Sequence, residues 1–334
     1  MSGTTFSHQN LTSLQSHILQ EEGRYPGSRG DFTWILSALS LAAKSIAAKV
    51  RVARIEDVLG DHGEANVHGE SQQKLDVIAN DILVRCLGNR PSVAVVASEE
   101  DEEPTILRRG SEGGKYCVVF DPLDGSSNLD VCVSVGTIFS ILRNDPTIPG
   151  VVETLCQPGT AQVAAGYILY GSSTVFVLTT GNGVDMFVLD PAIGSFVLVK
   201  SKIRMPEAGK SYSVNEAYKH TFPAGFSRYL EWTQDNGYSS RYIGSMVSDV
   251  HRILLKGGVF LYPPTQKNPE GKLRLMYEAN PMAMIVEQAG GKAVIGATSK
   301  PDARLMDVVP TSIHQRTSVV MGSSDEVDAV LRYL

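Results

Sequence analysis

The chain has 334 residues, 43% of them hydrophobic, which suffices for a large core and sets a prior of about two domains. Its formal net charge of −6 argues against a general nucleic-acid partner, because proteins that track phosphates carry a basic face. The polar start Met1-Ser-Gly-Thr-Thr-Phe6 has no apolar signal region, and no apolar run approaches the ~18 residues of a membrane span. The C-terminus, Leu331-Arg-Tyr-Leu334, lacks the small-basic-Leu peroxisomal address. The expectation is a cytoplasmic protein with neither a nucleic-acid nor a membrane partner; residence in a peroxisome-like organelle stays open.

Leu11, Leu14 and Ile18 share a helical face that ends near Gly23. After the break Pro26-Gly-Ser-Arg-Gly-Asp31, a helical period runs from Trp34 to about Arg54. It turns Ile35, Leu39, Ala42, Ile46 and Val50 inward, with Asp31 or Thr33 as its cap. Residues 56–70, rich in Gly, Asp, His and Asn, predict a mobile connection, and 74–87 a helix with Leu75, Ile78, Ile82 and Leu83 inward. Short β-branched runs then predict strands over 93–97, 116–120, 133–142, 162–170 and 173–179. The strand-rich block ends around 191–206. A helix near 245–255, a strand over 258–262, a helix over 282–288 and a strand over 292–295 follow. Two α/β units meeting near residue 200 are expected, 1–200 and 201–334. The cysteines Cys86, Cys117, Cys132 and Cys156 show no metal-ligand spacing and read as reduced, partly buried thiols.

Three acidic features fall at predicted strand ends or helix starts: Ser98-Glu-Glu-Asp-Glu-Glu103, the pair Asp121 and Asp124, and Glu278. Taken singly these are a solvated loop, turn formers and a dipole-friendly charge. The stretch Asp121-Pro-Leu-Asp-Gly-Ser-Ser-Asn128 resists that reading. Pro122 keeps Asp121 extended, and a helical turn afterwards returns Asp124 to the same side. Two carboxylates so placed repel unless cations lie between them, and carboxylate oxygen suits Mg²⁺ and Mn²⁺. Gly125 admits a ligand close to the backbone, and the N–H groups of 125–127 suit phosphate oxygens at a helix start. The combination points to metal-assisted phosphate-ester chemistry.

This octapeptide resembles the signature of the metal-dependent, lithium-sensitive sugar and inositol phosphatases. Gly271-Lys-Leu-Arg-Leu-Met-Tyr-Glu-Ala-Asn-Pro-Met-Ala283 narrows the resemblance to class I fructose-1,6-bisphosphatases. So do Lys74-Leu-Asp76, Ser98-Glu-Glu100, Asn215-Glu-Ala-Tyr218 and Arg241-Tyr-Ile-Gly-Ser-Met246. The resemblance implies a layered αβαβα sandwich of two related halves. It implies two or three Mg²⁺ or Mn²⁺ ions per subunit, held by Glu70, Glu99, Glu100, Asp121, the carbonyl of Leu123, Asp124 and Glu278. Glu70 stands where the family usually has Asp. Asp76 and Glu100 would orient and deprotonate the attacking water. Asp124, Gly125, Ser126 and Ser127 would contact the phosphate removed. Asn215, Tyr218, Arg241, Tyr242, Gly244, Ser245, Met246, Tyr262, Lys272, Leu273 and Arg274 would hold the rest of the sugar bisphosphate. In this family Arg241 reaches the neighbouring subunit's site, which implies at least a dimer, and the usual assembly is a homotetramer. An AMP-inhibition site is implied at Ser28, Arg29, Gly30, Asp31, Thr33, Lys115, Tyr116 and Arg143; Ser28 and Arg29 depart from the small uncharged residues of the animal enzymes. Two alternatives stand beside hydrolysis of fructose 1,6-bisphosphate: a sedoheptulose-1,7-bisphosphatase, and a metal-binding, AMP-sensing pseudoenzyme.

Overall fold

A computed structural model describes residues 11–22, 30–65, 71–108, 113–148, 150–297 and 299–334. In the N-terminal part, helices α1 (Leu14–Glu22), α2 (Asp31–Val52) and α3 (Lys74–Gly88) frame a ribbon of β1 (Asp61–Ala65) and β2 (Ser71–Gln73). An eight-stranded sheet follows, made of β3 (Val93–Ser98), β4 (Thr105–Ile106), β5 (Tyr116–Asp124), β6 (Val135–Arg143), β7 (Gln162–Tyr170), β8 (Thr174–Thr179), β9 (Val184–Asp190) and β10 (Ser195–Lys200). A short helix α4 (Val151–Leu155) lies between β6 and β7. The C-terminal part runs β11 (Ser211–Ser213), α5 (Ala224–Asp235), β12 (Ser239–Ser240), α6 (Met246–Lys256), β13 (Val259–Tyr262), β14 (Leu273–Arg274) and α7 (Asn280–Gln288). It ends with β15 (Lys292–Val294), β16 (Arg316–Thr317), β17 (Val319–Gly322) and α8 (Ser324–Leu331).

The large sheet has the order β10-β9-β8-β7-β6-β5-β3-β4, with β3 parallel to β5 and the other pairs antiparallel. Alternation along its strands feeds two cores. Phe176 and Leu178 of β8 face one way, into a core with Ile35, Leu39 and Ile46 of α2 and Leu75 and Leu83 of α3. Val175 and Val177 face the other way, meeting Val247 and Val250 of α6 and Met282 and Ile285 of α7. The smaller sheet, β12-β11-β13-β17-β15, repeats the device: Val319 and Met321 join this middle core, while Val320 joins Phe226, Tyr229 and Val327 of α5 and α8. Fully burying a side chain of this size contributes about 1.5–3 kcal/mol. The result is an αβαβα stack. No helix among the described residues is long and apolar enough to cross a membrane.

Several expectations need correction. Leu11 is 80% exposed, so only Leu14 and Ile18 form the buried face of α1. The start of α2 is Gly30, in the left-handed region at φ 73, and its carbonyl accepts Trp34 N–H at 3.1 Å. Neither Asp31 nor Thr33 caps: Asp31 pairs with Lys115, and Thr33 donates its N–H to Glu22 Oε1 at 3.3 Å. The connection before α3 forms the β1–β2 ribbon. The strand-rich block ends at Lys200, within the expected 191–206, but β9 and β10 were not expected; both are partly exposed and therefore weakly patterned. Ile78 and Ile82 are only half-buried, while Ala79, Leu87 and Asp76 turn inward. The four cysteines are free thiols; Cys132 is exposed rather than buried.

Candidate active site

The expected helical turn between Asp121 and Asp124 is not what brings them together. Both lie in β5, where Asp121 pairs with Ile138 and Asp124 with Gly136, so three steps on β5 oppose two on β6. In a regular strand, side chains three apart point to opposite faces; the one extra residue restores a shared face. Leu123 N–H donates to Asp121 Oδ1 at 2.9 Å inside the bulge. Thr137 Oγ1 holds the Pro122 carbonyl from β6 at 2.8 Å and meets the Tyr170 hydroxyl at 2.8 Å.

Glu278 arrives from the other half of the molecule. It sits in a π-helical turn, Leu275–Ala279, that runs into α7, and Arg274 N–H donates to its Oε2 at 2.5 Å. Such turns recur at functional sites because they redirect one side chain without ending the helix. Carboxylate oxygens of Asp121, Asp124 and Glu278 lie within 4.8 Å of one another, at residues only 7%, 8% and 9% exposed. Burial pushes all three up, Asp121 well above the usual carboxylate range, Asp124 to about 6 and Glu278 to about 8; neighbouring carboxylates add to this, while the bonds from Val247 and Ser245 oppose it at Asp124. A cation in the group would favour their charged forms. Hard oxygen donors in this number fit Mg²⁺ or Mn²⁺.

Around this floor the chain places other groups. The Glu99 N–H donates to Phe120 O at 3.0 Å, setting Glu99 beside β5, and its carboxylate pairs with Arg274 Nη2 at 3.1 Å. Glu100 N–H donates to Ser98 Oγ at 3.2 Å. The acidic run is thus pinned at Glu99 and Glu100, while Glu102 and Glu103 are exposed. Asp76, in the first turn of α3, accepts Gln73 N–H at 2.9 Å. Burial pushes its carboxyl up to about 7, against the opposing bonds from Gln73 and Ser126, a value suited to proton transfer near neutrality. Gly125 at φ 78 opens a 3-10 turn over Ser126–Val131; a Cβ there would stand 2.7 Å from that of Ser245. Asp76, Glu99, Glu100, Asp121, Leu123, Asp124 and Glu278 line one cavity of about 460 Å³, together with Gly125, Ser126 and Ser127.

A second cavity of about 610 Å³ adjoins it, sharing Ser127, Tyr242, Gly244, Tyr262 and Lys272, and adds Asn215 and Tyr218. Met246, Leu273 and Arg274 line the first. Ser245 is turned to Asp124, and Arg241 Nη1 turns back to the Ser240 carbonyl at 2.9 Å. Among the lining residues that escaped sequence reasoning are Gln73, Phe260 and Asp249, whose carboxylate accepts Ile243 N–H at 3.0 Å, Gly244 N–H at 3.1 Å and Ser213 Oγ at 2.7 Å. Only the 241–249 spacing, one loop before a helix, hints at Asp249. Glu70, Ser28 and Arg29 lie outside the described residues. Of the remaining expected AMP-site residues, Lys115 pairs with Asp31, and the Arg143 guanidinium lies 5.8 Å from the Tyr116 ring across the β5–β6 pairing, beside Phe32 of α2.

Family models for the N-terminal and C-terminal domains of fructose-1-6-bisphosphatase match residues 12–201 and 205–334. The chain belongs to the class 1 fructose-1,6-bisphosphatase family. A fructose-1,6-bisphosphatase class 1 of Persephonella marina is 50% identical over 322 residues, 96% of this chain and 98% of that protein. The holo-form crystal structure of Leishmania major fructose-1,6-bisphosphatase superposes with a TM-score of 0.90 at 44% identity, covering 97% of this chain and 98% of that one. The T-state structure of the same fructose-1,6-bisphosphatase gives 0.85 at 43% identity, covering 97% and 98%.

Proposed function

We propose that the protein hydrolyses the 1-phosphate of D-fructose 1,6-bisphosphate to fructose 6-phosphate and inorganic phosphate, in gluconeogenesis. The observation that carries this is the closeness of Asp121, Asp124 and Glu278 at the floor of a cavity opening onto a second, tyrosine-lined one. Two to three Mg²⁺ or Mn²⁺ ions, held by Glu99, Glu100, Asp121, the Leu123 carbonyl, Asp124 and Glu278, with Glu70 as a further ligand, supply charge neutralisation and water activation when bound. Asp76 takes the proton of the attacking water, with Glu100 orienting it. The water oxygen bonds to phosphorus, the bond from phosphorus to the C1 oxygen breaks, and that oxygen gains a proton. N–H groups at Ser126 and Ser127 receive the phosphate oxygens. Asn215, Tyr218, Tyr242 and Tyr262 hold the 6-phosphate and Lys272 the sugar, and so orient the reacting end.

The same reading takes the chain as two domains meeting near residue 200, assembled into a cytoplasmic homotetramer in which Arg241 completes a neighbour's site. It places an AMP effector at Gly30, Asp31, Thr33, Lys115, Tyr116 and Arg143. Inorganic phosphate release from fructose 1,6-bisphosphate, with Mg²⁺ and with chelator, for the native chain and Asp124→Ala, tests the core of it. Activity that survives the chelator or the substitution sinks the metal mechanism. Turnover of sedoheptulose 1,7-bisphosphate alone assigns the other sugar, and metal binding without turnover of either assigns the pseudoenzyme.

A further inference from the structure

We propose that His314 is a positioning residue for Glu99 and Glu100, holding their loop to the C-terminal half through the backbone carbonyl of Glu102. The inference rests on the reading that Glu99 and Glu100 hold cations. Five consecutive acids, Glu99 to Glu103, follow β3, and their mutual repulsion favours a spread-out loop. The N-terminal half restrains it through Glu99 N–H to Phe120 O at 3.0 Å, Glu100 N–H to Ser98 Oγ at 3.2 Å and Asn80 Nδ2 to Asp101 Oδ1 at 2.9 Å. The C-terminal half restrains it at two more: Arg274 Nη2 to Glu99 Oε1 at 3.1 Å, and His314 Nε2 to Glu102 O at 3.1 Å. A carbonyl oxygen only accepts, so Nε2 carries the proton in this contact.

Both C-terminal pins come from one short ribbon. Strand β14 carries Arg274 and pairs with β16, where Arg274 faces Arg316, two residues after His314. The Leu275 N–H bonds the carbonyl of Gln315 at 2.8 Å, fixing the stretch that holds the imidazole. The His314 ring lies 5.4 Å from the ring of Tyr277, at 37°. Tyr277 is fully buried and immediately precedes Glu278. The imidazole therefore ties ligands on the loop after β3 to the segment that carries the ligand Glu278. Mg²⁺ demands near-ideal octahedral geometry at about 2.0–2.1 Å, so a loop displaced by a fraction of an ångström binds it poorly.

The test is Mn²⁺ binding to the full-length protein, by calorimetry or electron paramagnetic resonance, for the native chain, His314→Phe, His314→Asn and His314→Gln. Glutamine places an amide nitrogen about where Nε2 lies; asparagine mimics only Nδ1, and phenylalanine keeps the ring without the donor. The expected result is a loss of affinity of about 10-fold or more in Phe and Asn, the scale of lost outer-shell partners, with most of it restored in Gln. Metal-free melting of Gln and Asn should match. Should Phe not fold, the Asn and Gln pair decides. Equal Mn²⁺ affinity in the native, Phe and Asn proteins overturns the inference, as does a Gln variant as weak as Asn. A native chain that binds no Mn²⁺ overturns the metal reading itself.

Discussion

Val247 donates its backbone N–H to Asp124 Oδ2 across 2.8 Å, and Ser245 adds its hydroxyl to the same oxygen at 3.2 Å. A residue of β5 thereby anchors the first turn of α6, which belongs to the other half of the chain, while its carboxylate also belongs to the acidic cluster. Two roles of one carboxylate can be separated. Asp124→Asn keeps an acceptor for Val247 and removes the charge, so activity should fall more than about 100-fold with a melting temperature unchanged or raised. Asp124→Ala should lose the same activity and also about 1–2 kcal/mol of stability, the cost of an emptied helix N-terminus. Equal stability losses in both variants, measured by denaturant unfolding, would count against the anchoring role.

Cation binding and pH should be linked at this cluster. Burial raises the folded-state values of Asp124 to about 6 and Glu278 to about 8, above those of the unfolded chain. With chelator present, the folded state then holds more protons than the unfolded one, so stability falls as pH rises from about 4.5 through 8. Mg²⁺ competes with those protons. The melting-temperature gain on adding Mg²⁺ should therefore grow between pH 5.5 and 8.5. A gain that is flat across that range, by differential scanning fluorimetry, would falsify the assignment of Asp124 and Glu278 to one cation-binding group.

Asp76 lies outside the group formed by Asp121, Asp124 and Glu278, and its carboxylate accepts Gln73 N–H at 2.9 Å. Asp76→Asn should lower kcat by about 10²–10⁴-fold, the range for a lost general base. Its Mn²⁺ affinity should stay within a few-fold of the native value. A large drop in affinity instead would make Asp76 a ligand.

The densest chemistry was the easiest to read. Asp121, Asp124 and Gly125 sit within five residues whose types admit few joint explanations, and the apolar periods of α2 and α3 announced most of the layer beneath the large sheet. What escaped was whatever depends on contacts far apart in the chain. A one-residue bulge leaves no mark in composition, so the convergence of Asp121 and Asp124 was expected from a helical turn instead. His314 bonds a backbone carbonyl of a distant loop and Asp249 a hydroxyl of distant β11, and a lone Asp or His is uninformative until those segments are placed. Helix α5 was missed because three of the four residues of its buried face, Phe226, Tyr229 and Thr233 but not Leu230, are weak helix formers, and Gly225 weakens its first turn after Pro223.

Away from the site, burial lowers the titration of His251 to about 4, with its Nδ1 at 2.7 Å from the Tyr167 hydroxyl. A histidine buried neutral contributes stability above its unfolded value of about 6.5 and loses it as pH falls towards 4. The full effect is roughly 3 kcal/mol. His251→Gln should lower stability at pH 7, yet its stability should decline less steeply than the native chain's between pH 6.5 and 4. Parallel declines in urea unfolding would remove His251 from the acid response.

Gly125 links backbone strain to the reaction most directly. Its φ of 78 costs any side chain about 1–2 kcal/mol, and a Cβ would also meet the Ser245 Cβ at 2.7 Å and Oγ at 2.9 Å. Gly125→Ala should therefore push α6 away from the 3-10 turn carrying Ser126 and Ser127. Stability should fall by about 2–3 kcal/mol and kcat by about 10-fold or more, since small misplacements of positioning groups are costly. The two causes separate in Gly125→Ala/Ser245→Gly. Removing the Ser245 side chain relieves the collision but not the left-handed strain. The double variant should recover part of kcat relative to Gly125→Ala, although Ser245→Gly alone loses the bond to Asp124. Purely additive losses in a double-mutant cycle would place the whole effect in the backbone strain.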